Sequence, residues 1–469
     1  MLGVSMKKLF GESAFDEIYK SSSIKSAKNT FAQDGYSNSE LLTEGLNHVI
    51  KSEASVSMES YQTFQPEYKM QGTIRKYFGK NGVNYNTIAA HPDFKHLDKN
   101  EEYIKQYICT MFIDIKGSTT LSLKYELEFV HQFKNAVIQA CIECIRAFDG
   151  YVHRIMGDAV LGFFGSKAIS KEQAILDCMN CASVLNVFLV QNIQPWLRKI
   201  KPDFQDDNDF GFRIGCNFGD DDEVLWANYG FGATGEISPT GFSVDLAAKL
   251  QGLSGKNKAM IGQGLLEFIN WPKDFTNIKV ITKGGVEIQK PYVTPNYTKN
   301  KIPINYLMRE LNQSIYLRGL PLPTDIKKSL TSGISHCSQI TLENILRIKG
   351  RTPQPFISSS TIAPIGASID FKVKILNDST LLFPLIVKFK KINNEGFGDN
   401  QQEVLDSLNQ DDSEEFIIKY DASRITHIQV HEASISRDCM YRGIHMMICE
   451  VRNFESQVIF REIVHVPIA

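Results

Sequence analysis

An α+β sheet domain followed by an all-β domain is the architecture this sequence predicts, on three features of its pattern. Between Tyr103 and Tyr297, short apolar runs rich in strand formers alternate with long stretches of helical period, in the order β-α-β-β-α-β with additions. Beyond about Thr352 the helical period disappears, and brief alternating stretches are separated by Gly-, Asn- and Asp-rich turns. At 469 residues the chain is also too long for one ordinary core. The division that follows is a polar, partly helical N-terminal extension over 1–102, the α+β domain over 103–297, a helical connector over 298–351 and a sandwich-like β domain over 352–469.

The extension is Ser/Asn/Gln-rich, with apolar clusters around 10–18 and 41–50. The α+β domain opens on 107–114, a mostly apolar run suited to a buried strand, and Gly117, Ser118, Thr119 and Thr120 interrupt it. Leu123, Leu127, Val130, Phe133, Val137, Cys141, Cys144 and Phe148 then recur at three- and four-residue steps, predicting a long amphipathic helix that ends at Asp149-Gly150. Strands at 151–155 and 159–164 flank the Gly157-Asp158 turn, and a second helix covers 171–190. Residues 210–218 and 223–229 read as a hairpin around Asp220-Asp221-Asp222. A loop, a helix from near Gly241 and a strand at 259–261 complete a sheet carrying helices on one face. Pro303, Gly319, Pro321 and Pro323 break the connector. The β domain shows strands at 368–375, 382–390, 415–420, 439–451 and 457–467, with a polar acidic loop over 393–414.

Hydrophobic content of 43% and charged content of 22% are those of a soluble globular protein. A net charge of −2 gives no bulk attraction for nucleic acid or anionic membranes, and a polymerase groove would need Lys/Arg-rich tracts that are missing. The longest apolar run, 184–190, is short for a bilayer, and the N-terminus has no signal-peptide core, so a cytoplasmic protein without a membrane partner is expected. Cys141/Cys144 and Cys178/Cys181 form two CxxC pairs, but both lie in helical segments without the tight knuckles of a zinc ribbon. They read as small buried side chains.

Two motifs carry chemistry. In Phe112-Ile-Asp-Ile-Lys-Gly-Ser-Thr119, Asp114 ends an apolar strand, Gly117 permits a sharp turn, and the amides leading into a helix can cradle phosphate oxygens. Alone, Asp114 would read as a helix cap. In the run from Gly150 to Phe164, Asp158 occupies a hairpin turn; if that hairpin pairs beside the first strand, the two carboxylates converge into a hard-oxygen site suited to Mg²⁺ or Mn²⁺ and a triphosphate.

These blocks resemble the class III adenylate/guanylate cyclase family, whose motifs run Phe-x-Asp-Ile-x-Gly-x-Thr and end in Gly-Asp. Phe212-Arg-Ile-Gly-Cys-Asn-Phe-Gly219 and Gly241-Phe-Ser-Val-Asp-Leu-Ala-Ala-Lys-Leu250 resemble its third and fourth blocks. The resemblance implies a ferredoxin-like core and two Mn²⁺ or Mg²⁺ ions per site, held by Asp114, Asp158 and the Ile115 carbonyl. Gly117, Ser118 and Thr119 would meet the phosphates. It further implies Asp245 at the ribose, where the family has Asn, and Lys249 at the transition-state phosphate, where it has Arg. Lys283 would contact the β- and γ-phosphates. An ordinary i, i+4 ion pair is the other reading of Asp245 with Lys249, and a hairpin-turn lysine that of Lys283. Because the family takes metal and ribose groups from different subunits, a homodimer with composite sites is implied.

The family's two base-reading positions are here Arg154 and Ser238, matching neither its adenine nor its guanine pair. Arginine supplies only donors, so guanine, which wants a carboxylate, is disfavoured, and cytosine, with adjacent O2 and N3 acceptors, is favoured over uracil. Tyr151 would narrow the pocket or belong to the core. Ser436-Arg-Asp-Cys-Met-Tyr-Arg-Gly-Ile-His445 resembles the C-terminal sensor domain of antiphage signalling enzymes. Together these features resemble the pyrimidine cyclases of the Pycsar defence system, implying CTP or UTP as substrate, a cyclic pyrimidine nucleotide as messenger and a separate effector that responds to it. An adenylate cyclase, a non-catalytic nucleotide-binding regulator, and a β domain used only for packing are the competing readings.

Overall fold

The computed structural model describes residues 8–31, 68–98, 102–204, 210–231, 234–377, 381–398, 402–408, 412–420 and 429–469; the apolar cluster expected at 41–50 lies outside them. The chain runs through α1 (Ala14–Phe31), α2 (Gln71–Tyr77), β1 (Ile104–Lys105), β2 (Ile108–Lys116), α3 (Ser118–Lys124), α4 (Leu127–Ala147), β3 (Tyr151–Met156) and β4 (Ala159–Phe164). It continues through α5 (Lys171–Phe188), a π-helical turn (Leu189–Ile193), α6 (Gln194–Ile200), β5 (Gly211–Gly219), β6 (Leu225–Phe231), β7 (Thr234–Thr240), α7 (Phe242–Leu253) and β8 (Lys258–Gly262). Short elements follow: α8 (Gln263–Phe268), β9 (Thr276–Asn277), β10 (Lys279–Lys283), β11 (Val286–Lys290), β12 (Thr298–Lys299), β13 (Ile302–Pro303), β14 (Met308–Leu311), α9 (Gln313–Arg318) and α10 (Thr324–Leu330).

The main sheet has seven strands in the order β3-β4-β2-β5-β8-β14-β9. Its first four strands are antiparallel neighbours, which with α4 and α5 is the ferredoxin-like arrangement expected from the βαββαβ order; β8 adds parallel to β5. Strand alternation sorts the two faces of β2. Cys109, Met111, Ile113 and Ile115 enter the large core with residues of α4 and α5, which leaves Asp114 on the opposite face.

That opposite face is not bare. α7 lies across it, so helices cover both faces rather than the one face expected. The reason is local: a Cβ on Gly215 would collide with the backbone of Ala247 and Gln251, and one on Gly219 with Ser243, so these two of the three glycines in β5 admit α7 to close contact. The hairpin expected over 210–229 does not form either. Both edges of β5 are bonded, to β2 and β8, so β6 pairs instead with β1 and with β7, which occupies the expected loop. The helix expected in one piece from Leu123 breaks where Tyr125 turns extended, and Leu123 and Leu127 stand exposed.

Lys171–Ile200 forms one continuous helical stretch, long and apolar enough by composition to cross a membrane, yet 83% of its apolar window is buried inside the fold. Cys141, Cys144, Cys178 and Cys181 are all buried; the Cys144 and Cys181 sulfurs meet 3.7 Å apart between α4 and α5, and Cys178 faces Cys109 and Cys216 of the sheet. The N-terminal residues join this core. Phe15 packs 5.0 Å from the Trp196 ring, and the π-helical turn anchors the chain through Leu9 N to Gln191 Oε1 (3.1 Å) and Asn192 Nδ2 to the Gly11 carbonyl (2.7 Å).

Residues 298–351, expected to be a helical connector, contain α9 and α10 but also β14, which enters the main sheet, and β15 (Ile340–Arg347). The rest comprises β16 (Gln354–Pro355), β17 (Ser368–Asn377), β18 (Leu385–Ile392), α11 (Gln402–Ser407), β19 (Asp412–Ile418), β20 (Gln429–Asp438), β21 (Gly443–Arg452) and β22 (Val458–Ile468). Two four-stranded antiparallel sheets, β16-β15-β17-β20 and β19-β18-β21-β22, share one apolar core. α11 sits within the stretch expected to be all loop. This half meets the first along a polar seam: Asn180 Nδ2 donates to the Ser359 carbonyl (2.8 Å), Ser360 Oγ to the Phe78 carbonyl (2.7 Å), and Arg442 pairs with Glu172 (2.8 Å). Of the block from Ser436 to His445, the first three residues end β20 inside the sandwich and Arg442 and Ile444 reach the seam, while His445 is buried against the Asn394 amide and the Tyr441 carbonyl.

Candidate active site

β2 ends at the sheet's edge in Asp114, Ile115 and Lys116, and the β3–β4 turn ends there too. The register pairs Asp114 with Ala159, so Asp158, one residue earlier, stands alongside Asp114 and Ile115. The hairpin does pair beside the first strand, and the two carboxylates share one end of the sheet. Gly157 takes a φ of 65°, the left-handed conformation the turn requires. Gly117 does the same at 92°, swinging the chain from β2 into α3, whose first amides, from Ser118 and Thr119, lack acceptors within their own helix.

Asp114 has partners the sequence reading did not name. Arg213, directly opposite on β5, clamps Oδ2 through Nε (2.9 Å) and Nη2, and Gln251 Nε2 of α7 reaches the same oxygen at 3.0 Å. Oδ1 of Asp114 and the Asp158 carboxylate have no partner among the described residues. The free Oδ1 of Asp114, the open Asp158 carboxylate and the neighbouring backbone carbonyl of Ile115, all hard oxygen donors, suit a divalent cation whose remaining ligands come from a nucleotide. No group of three His, Cys, Asp or Glu side chains forms a closed metal cage among the described residues.

Asp245 and Lys249 lie on α7, but they do not join the aspartates. Leu246, Ala247 and Leu250 face the sheet; Asp245 is exposed and Lys249 half-buried. They form no ion pair with each other among the described residues, so the ordinary i, i+4 pairing is not what they do. Lys283 closes β10 before Gly284 and Gly285, both left-handed, at the tip of a separate two-stranded hairpin, again without a contact to the aspartates.

Arg154 and Ser238 do converge, and with company. Glu236 and Ser238 alternate onto one face of β7. Glu236 forms an ion pair with Arg154 Nη2 through one oxygen and contacts His153 Nε2 at 2.6 Å through the other; Ser238 Oγ lies 3.4 Å from the same imidazole. Burial holds the His153 imidazole below the usual histidine range, against the pull of Glu236. Glu236 therefore sets beside Arg154 a carboxylate that the residues at 154 and 238 alone do not supply. Tyr151 is packed, its ring 4.1 Å from that of His91.

Arg213 and Gln251 could be found only from strand register. Glu236 was accessible two residues before Ser238 had 234–240 been read as a strand.

No protein-family profile matches the chain. Among solved structures, the adenylyl cyclase CyaB from P. aeruginosa aligns with 45% of this chain and 95% of its own at 18% identity and a TM-score of 0.36. Curated relatives are nearer. A Staphylococcus aureus protein named cytidylate cyclase is 42% identical over 223 residues, 47% of this chain and 51% of its own. An Escherichia coli protein of that name is 36% identical over 415 residues, 86% of this chain and 88% of its own. Another from Escherichia coli is 32% identical over 464 residues, 95% and 94% respectively. With the two Escherichia coli relatives matched along nearly their whole length at more than 30% identity, the chain is a nucleotidyl cyclase and belongs to the cytidylate cyclase family.

Proposed function

We propose that this enzyme converts CTP to cyclic 3′,5′-CMP and pyrophosphate, as a cytoplasmic source of a second messenger in antiphage defence. The observation that carries the reading is the β2–β4 register, which sets Asp158 beside Asp114 at the open end of the sheet. The relatives' shared name supports cytosine as the base.

In this reading Asp114, Asp158 and the Ile115 carbonyl would hold two divalent cations, Mg²⁺ or Mn²⁺, which would acidify the ribose 3′-hydroxyl and neutralise the phosphates. The ribose 3′-oxygen attacks the α-phosphorus in line, its proton is lost, and pyrophosphate leaves. Amides around Gly117, Ser118 and Thr119 receive phosphate oxygens. Lys249 brings positive charge to the α-phosphate without an arginine's bidentate fork, and Asp245 accepts from a ribose hydroxyl. Lys283 meets the β- and γ-phosphates, and Arg154 and Ser238 read the base. Since Asp245 and Lys249 face away from their own chain's aspartates, a second copy completes each site, giving a homodimer with two composite sites. The C-terminal sheets act as the sensor, and a separate protein responds to the product.

The test is incubation of the purified full chain with ATP, GTP, CTP and UTP in turn with Mn²⁺, and identification of products by mass spectrometry. Cyclic CMP in excess is the expected result. Cyclic AMP or cyclic GMP in excess would refute the base assignment, and no cyclic product under any condition would refute the reading.

A further inference from the structure

We infer that Glu236 is a specificity-determining residue: its carboxylate accepts the exocyclic amino group of cytosine while Arg154 beside it donates to the ring's acceptor edge. This rests on the cytidylate-cyclase reading above and names the side chain that would enforce its choice of cytosine over uracil.

The carboxylate is held from two directions. His153, a buried residue of the edge strand β3, meets one oxygen at 2.6 Å, and Arg154, the next residue, takes the other. Successive residues of a regular strand point to opposite faces, but β3 carries an irregularity in its register between Val152 and Arg154, which lets both side chains reach Glu236. The pair is not sealed off: the Glu236 side chain is 33% exposed and that of Arg154 49%, whereas that of His153 is 6% exposed. Each carboxylate oxygen accepts at more than one site, and the guanidinium has five N–H donors of which this contact uses one. Oε1 is buried on the His153 side, so the acceptor capacity left beside the Arg154 donors is that of Oε2.

An acceptor next to donors complements one pyrimidine and opposes the other. Cytosine offers its N4 amino donor beside the N3 and O2 acceptors. Uracil replaces the amino group with the O4 acceptor and the N3 lone pair with N–H, so a carboxylate at that position faces an acceptor it cannot bond. A site built to bond a substrate N–H discriminates strongly against the analogue lacking it, because its own buried polar group is left unpaired. A preference for CTP over UTP of about tenfold or more in kcat/KM follows.

The experiment compares kcat and KM for CTP and UTP in the full chain and in Glu236→Gln. A glutamine amide can turn its NH₂ toward O4, so the variant is expected to lower the CTP/UTP ratio by about tenfold through better use of UTP, with the melting midpoint unchanged. A ratio within about twofold of the parent's in a folded variant would overturn the inference. If Glu236→Gln fails to fold, Glu236→Ala carries the same test, and there too the ratio must fall. A parent enzyme that makes no cyclic pyrimidine nucleotide would instead sink the reading on which this rests.

Discussion

Gly215 lies under α7 at the middle of β5, and replacing it with alanine is the sharpest test of how the fold holds the site. The added methyl would stand 2.9 Å from the Gln251 Cα and nearer still to the Ala247 carbonyl oxygen and the Gln251 amide. These are backbone atoms and cannot rotate aside. Carbon atoms settle at about 3.5–4.0 Å, so α7 must recede by roughly 1 Å. Overpacking of this kind costs about 1–3 kcal/mol of stability. The larger effect falls on chemistry, because α7 carries Asp245, Lys249 and the Gln251 bond to Asp114, and a displacement of about 1 Å can cost about a hundredfold in rate. The control lies on the same helix: a Cβ on Gly252 meets nothing within 4 Å, so Gly252→Ala should stabilise α7 by about 0.5–1 kcal/mol and leave turnover intact. Denaturant midpoints and steady-state kinetics on both variants measure the contrast. Full activity and unchanged stability in Gly215→Ala, or equal damage from Gly252→Ala, would refute the packing argument.

Other expectations follow from the site and the core. Asp114→Asn and Asp158→Asn should each abolish cyclisation while the circular dichroism spectrum stays that of the parent; turnover by either would remove it from metal binding. An equal mixture of inactive Asp114→Ala and inactive Lys249→Ala chains should recover about a quarter of parent activity, since half the dimers are mixed and each has one intact site. No recovery in chains shown to exchange would argue against composite sites. Arg154→Ala should flatten the preference among the nucleotides more than it raises KM for all of them; an unchanged preference would exclude it from base reading. Burial pushes the Glu143 carboxyl up to about 7 from an ordinary 4.5, against the pull of the Met70 and Gln71 amides it accepts. The folded chain therefore keeps a proton that the unfolded chain releases, and this group's contribution to stability falls as pH rises from about 4.5 to about 7. Glu143→Gln should lessen the drop in urea midpoint between about pH 5 and about pH 8, and an identical drop would show that another group controls it.

What could be read from residues alone was the order of the central elements. β2, β3, β4, α5 and α7 announce themselves through period and turn chemistry, and the adjacency of Asp114 and Asp158 follows once the hairpin pairs beside β2. What could not be read was pairing that depends on distant partners. β7 looked like a loop because Gly235 and Pro239 lie within it; an edge strand tolerates such residues, and β7 is the edge of its small sheet. That misreading hid Glu236. The side of the sheet on which α7 lies depends on two missing side chains in β5, and a glycine announces a close approach without naming the neighbour. β15 alternates plainly, but prolines and glycines upstream drew attention to the connector's breaks. Phe15 and Ile18 sit in a polar segment, and only the tertiary fold shows that they fill the main core.

The polar seam has a consequence for any attempt to use the catalytic half as a transplantable cassette. A chain cut before residue 357 would strip the Asn180 amide of the Ser359 carbonyl and the Phe78 carbonyl of the Ser360 hydroxyl. It would also uncover the Tyr316 ring where it lies 5.5 Å from that of His465. At about 1–3 kcal/mol for each group left unpaired, these two losses take up to about 6 kcal/mol from the margin of about 5–15 kcal/mol by which a domain stays folded. The two halves thus lend each other part of their stability, and the catalytic half cut at this point is expected to melt below the full chain.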